Sequence, residues 1–65
     1  MKLRELQQVV HPLQKIKVIY RDPTRSLETS VVFEGWFKMC TDNVILGSNV
    51  VVVRSVCSIM YIEVF

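Results

Sequence analysis

The chain has 65 residues, 51% of them apolar and 22% charged, with a formal net charge of +2. That length holds a single domain, residues 1–65, and the balance is that of a globular chain rather than a disordered one. It contains no run of about eighteen apolar residues, so no membrane-spanning helix is expected.

Residues 2–10, KLRELQQVV, place Leu3, Leu6 and Val10 at helical spacing with polar groups between them. The spacing predicts a helix within residues 1–11. His11-Pro12 closes it, because proline disfavours helical geometry in the residue before it. His11 is then a helix-end residue, where partial positive charge suits the carbonyl end. About nine residues are marginal as an isolated helix, so the Leu3/Leu6/Val10 stripe must pack on the open end of a sheet or barrel. The charged, amphipathic N-terminus does not read as a secretory signal, which favours a cytoplasmic protein.

Residues 14–21, QKIKVIYR, alternate Ile16, Val18 and Tyr20 against Lys15, Lys17 and Arg21, the pattern of a half-buried strand. DPTRS, residues 22–26, reads as a turn. Residues 27–40 read as one long strand with Leu27, Val31, Phe33, Phe37 and Met39 inside. Gly35, near its middle, marks a bend or bulge. Trp36 shares the polar phase with Glu34 and Lys38. Three surfaces could receive it: the core beneath the N-terminal helix if the bend swaps faces, a neighbouring subunit, or a stacked ligand.

TDN, residues 41–43, reads as a turn and VILG, residues 44–47, as a short strand. NVVVVRSV, residues 49–56, breaks alternation with Val50, Val51, Val52 and Val53, so both its faces are covered or its edge is sticky. SIMYIEVF, residues 58–65, closes the count at one helix and five strands. Its inner set is Met60, Ile62 and Val64; Tyr61, Glu63 and Phe65 lie outside. Arg54 reads as a solvated turn residue or as the partner of Glu63.

Chemistry-bearing motifs are sparse. Cys40, Cys57 and His11 fall one short of a tetrahedral Cys/His zinc site and lack ligand spacing. Two reduced, buried thiols are expected. A dyad of His11 with either cysteine lacks a third, orienting group. The six acids are scattered, and Gly35 and Gly47 are the only glycines, so no phosphate-cradling loop exists. The expectation is a non-enzyme with no cofactor, no metal and no small-molecule substrate.

The order of elements, with GWFKMCTDNVIL (residues 35–46) and VVVVRSVCSIMYIEV (residues 50–64), resembles the Sm-like group of small SH3-like barrels. Gly35, Phe37, Asp42, Asn43, Val44 and Leu46 are similar to that group's second strand and following turn, with Asp42 and Asn43 adjacent rather than separated. Val53-Arg54-Ser55, followed by Ile59-Met60-Tyr61-Ile62, resembles its later turn and closing strand, with serine in place of glycine. The resemblance implies a mainly β fold: a short helix, then a strongly bent, five-stranded antiparallel SH3-like/Sm-like barrel over residues 14–65. It also implies rings built by strand pairing, which would occupy Val50–Val53 and Phe65. And it implies single-stranded RNA binding, with Asp42 and Asn43 contacting bases and Arg54 stacking or meeting phosphate.

Charge is uneven. Residues 1–25 carry six basic and two acidic groups; residues 26–65 carry two and four. The preferred expectation is a self-associating binding or scaffolding module. A single-stranded RNA binder acting through Trp36, Arg54, Asn43, Lys15, Lys17, Arg21 and Arg25 is the alternative. A third is a DNA-associated accessory protein of a mobile element.

Overall fold

The computed structural model describes residues 1–21, 24 and 29–65. Apart from Thr24, the expected 22–26 turn lies outside them, as does Leu27. Helix α1 spans Leu3–Val9, strand β1 Lys15–Arg21 and strand β2 Thr29–Trp36. A turn of 3-10 helix follows at Phe37–Met39, then helix α2 at Asn43–Leu46, strand β3 at Val50–Val56 and strand β4 at Ile59–Val64.

The fold is mainly β with a short N-terminal helix, as expected. The five-stranded antiparallel barrel does not form among the described residues. The sheet has four strands in the order β2-β1-β4-β3 and stays open. It is also mixed: β1 pairs antiparallel with β2 but parallel with β4. Between β2 and β3 the chain crosses over the helical side of the sheet, and the β3–β4 hairpin returns β4 to lie beside β1.

The missing fifth strand is α2. VILG is too short for alternation to decide its state, and its flanks are helix signals. Asp42 caps it, with Oδ1 accepting from the Val44 and Ile45 backbone N–H groups at 2.8 and 3.5 Å. Gly47 ends it, its N–H donating to the Asn43 carbonyl at 3.0 Å.

One face of the sheet holds the core. Ile16 and Val18 of β1 and Ile62 and Val64 of β4 are buried there with Leu3, Phe37 and Cys40. Leu6, Val10, Ile45 and Leu46 pack against them from the helical side. The predicted stripe of α1 therefore does what its spacing requires. Gln7 ties this layer down, its Nε2 donating to the carbonyls of Phe37 and Cys40, both at 2.9 Å.

Two members of the predicted inner set, Val31 and Met39, are exposed instead. A bulge in β2 shifts its register between Val18↔Phe33 and Ile19↔Val31, which turns Val31 to the opposite face. Met39 lies in the 3-10 turn, where period-two alternation has ended. Neither cysteine is in a disulfide; Cys40 is buried, but Cys57 is exposed. Cys57 and Ser58 have φ of 50° and 67° and form the tip of the β3–β4 hairpin, so Cys57 has no core to enter.

Candidate binding face

Among the described residues, no layer covers the other face of the sheet. Register places its residues in rows running across β2, β1, β4 and β3. The first row is Trp36, Lys15, Ile59 and Val56. The second is Glu34, Lys17, Tyr61 and Arg54. The third is Val31, Ile19, Glu63 and Val52. Arg21 lies beyond them, paired with Thr29. The sheet thus gathers five of the expected binding residues, Lys15, Lys17, Arg21, Trp36 and Arg54, onto one surface.

Trp36 is 47% exposed and sits opposite Lys15, on the side of the sheet away from α1. It does not cover the core beneath the helix. Phe37 does that, fully buried, because Trp36 and Phe37 fall in opposite phases at the end of β2.

On the central strands of this face Lys17, Ile19, Ile59 and Tyr61 are half-buried, and Glu63 is its one buried residue, at 8% exposure. Arg21 Nη2 donates to its Oε1 at 2.9 Å, and Arg54 Nη2 reaches the same oxygen at 3.5 Å. The two guanidinium groups shield the carboxylate from opposite neighbouring strands. Lys17 Nζ lies 5.9 Å from the centre of the Tyr61 ring, at the outer limit of a cation–π contact. Lys17 is the cross-strand neighbour of Glu34 yet turns toward Tyr61. Glu34 has no ion-pair partner among the described residues.

Arg54 belongs to this face but not to a turn, since it lies within β3. Asp42 and Asn43 are absent from it. They sit at the start of α2, in the layer behind the sheet, so the three residues carried by the resemblance do not form one pocket. Asp42 spends Oδ1 on the α2 cap. Tyr61 and Glu34 join the face without having been singled out. The alternation of SIMYIEVF and FEGW carries that signal, placing both in the polar phase.

A second concavity, of about 520 Å³, opens on the helical side between Gln7, Gln8, Val10, Pro12, Lys38, Cys40, Thr41 and Leu46. Burial pushes the Cys40 thiol pKa up, and the Asp42 carboxylate adds to the rise. A thiol held protonated in this way is a poor nucleophile. His11 spends Nδ1 as an acceptor for the Leu13 N–H at 3.1 Å. Among the described residues no group of three or more His, Cys, Asp or Glu side chains could hold a metal ion. No helix among the described residues is long and apolar enough to cross a membrane.

Comparison with protein-family models, curated proteins and solved structures finds no match for this chain.

Proposed function

We propose that this protein is a non-enzymatic binding or scaffolding module that self-associates through its sheet. The observation that carries this reading is the uncovered sheet face, where Trp36, Val31, Val52 and Val56 stand exposed between charged side chains. An apolar patch rimmed by polar groups marks a binding surface on a small protein. A chain of 65 residues also gains stability by covering such a patch with a partner. Multi-angle light scattering over a concentration series tests this. An oligomer that dissociates on dilution is expected, and a monomer at every concentration would overturn the reading.

A second reading is single-stranded RNA binding on the same face, favoured by the grouping of Trp36 and Tyr61 with Lys15, Lys17, Arg21 and Arg54. Aromatic rings stack bases and the cations meet phosphates. Two features weigh against it. Arg21 and Arg54 are both engaged by Glu63, and Asp42 and Asn43 lie behind the sheet. It predicts a salt-dependent mobility shift with U-rich or A-rich oligonucleotides that weakens on Arg54→Ala. No shift at low salt counts against it, and a shift only with duplex DNA would favour the mobile-element alternative.

A further inference from the structure

The binding face is nearly self-complementary in charge, and that complementarity selects one way for two copies to meet. We propose that the self-association just described is a face-to-face dimer. Its two-fold axis runs parallel to the strands, between β1 and β4. This rests on the self-association reading and names its surface.

The rows dictate the orientation. A half-turn about such an axis lays β2 of one copy over β3 of the other, and β1 over β4, with each row meeting itself in reverse. In the second row, Glu34 then faces the partner's Arg54, and Lys17 faces the partner's Tyr61. Symmetry repeats both contacts. In the first row Trp36 covers the partner's Val56 and the Lys15 stem lies over the partner's Ile59. In the third Val31 covers the partner's Val52, and Ile19 lies over the partner's Glu63, which keeps its own Arg21 and Arg54.

Glu34 is suited to this role because it has no ion-pair partner among the described residues of its own chain. Arg54 is suited because its side chain is 60% exposed and its 3.5 Å contact with Glu63 is the longer of that carboxylate's two. Its guanidinium has five N–H donors, so it can serve Glu63 and a second carboxylate together.

The other in-plane two-fold, perpendicular to the strands, fails on charge. It stacks the first row on the residues around Arg21, bringing Lys15 against the partner's Arg21. It also sets Glu34 against a valine, burying that charge unpaired.

Size and edges agree with a face contact. Four strands at ~4.8 Å spacing and six residues at ~3.3 Å rise make a face of roughly 19 by 20 Å. Apposing two such faces covers roughly 760 Å² of flat area in all, and somewhat more of accessible surface, the size of a weak contact that dissociates on dilution. Edge-to-edge pairing is less open to this chain. Both edge strands carry bulges, which twist an edge away from partners. The start of β3 is also occupied: Val50 N–H donates to the Met1 carbonyl at 2.8 Å, and Leu3 N–H to that of Ser48 at 2.9 Å.

The test is a charge-swap pair, Glu34→Arg and Arg54→Glu, each analysed by sedimentation velocity alone and then as an equimolar mixture. Each variant alone sets like charges together at both symmetric contacts, and its dimer is expected to weaken by about 100-fold. The mixture restores opposite charges at both contacts and is expected to form a heterodimer of near wild-type affinity. Far-UV circular dichroism checks that each variant folds. Should Arg54→Glu unfold beside Glu63, Val31→Lys mixed with Val52→Asp poses the same question. A wild-type dimer that is indifferent to these substitutions would overturn the proposed face while leaving self-association standing. A wild-type monomer throughout would overturn the self-association reading, and this inference with it.

Discussion

At Gly35, φ is +147°, a backbone conformation that side chains with a Cβ rarely adopt. The space around it is ordinary, since an added Cβ would meet only the Phe33 ring, at 3.7 Å. Gly35→Ala is therefore expected to cost about 1–3 kcal/mol through backbone strain rather than through a clash, read as a lower urea midpoint with unchanged slope. The amino-acid pattern marks Gly35 as a special backbone position, but it does not locate the bulge in β2. The bulge that turns Val31 outward lies further toward the start of the strand, where nothing in TSVVF distinguishes one valine phase from the other. The alternation in β1 and β4 is readable because lysine, arginine and glutamate label one phase, and those residues form the binding face. Cys40 gives a second prediction. Its thiol pKa is raised in the folded protein, so above about pH 8.5 the unfolded chain loses that proton first. Stability from this group is present below that pH and is lost as pH rises through the folded value. Cys40→Ala should flatten the alkaline fall in stability, measured as the difference between the two proteins' urea midpoints at pH 7 and pH 10.

At the scale of elements, α2 depends on its cap more than a longer helix would. Four residues have little cooperativity of their own. Asp42 supplies an acceptor for two of the backbone donors that a helix N-terminus leaves open. Asp42→Ala is expected to lower stability by about 1 kcal/mol, and a cap-only role makes the substitution neutral in the RNA mobility-shift assay of the alternative reading. A variant that bound RNA more weakly while keeping its thermal midpoint would contradict that assignment. The same element explains why the residue pattern suggests five strands. VILG is apolar enough for either state, and the packing of Ile45 and Leu46 against the buried core belongs to tertiary structure that no local pattern encodes. The parallel β1–β4 pairing is illegible for a related reason. It depends on the long connection from Phe37 to Asn49 crossing to the far edge of the sheet, and sequence periodicity carries no information about strand order.

At the scale of the whole molecule, the sheet divides the side chains into one set that holds the monomer together and another that stays exposed. Phe37 and Trp36 are adjacent and lie on opposite sides of that division. Phe37 is completely buried among Leu3, Ile16, Val18, Cys40, Ile62 and Val64, so Phe37→Ala removes a large ring from a small core. Such a change typically costs about 3–5 kcal/mol, which matches the whole stability expected of a domain this size. The variant should be unfolded at room temperature by circular dichroism. Trp36 is half exposed and contributes little to that core, so Trp36→Ala should change the unfolding free energy of the dilute protein, read from urea denaturation, by no more than about 0.5 kcal/mol. Raising the protein concentration separates the two roles further. Association stabilises the folded state by mass action, so the wild-type midpoint should climb with concentration. The Trp36→Ala midpoint should climb much less, because the proposed dimer then loses the ring that would cover the partner's Val56. If both midpoints rose in parallel, Trp36 would lie outside the contact, and the apolar face of the sheet would need another explanation.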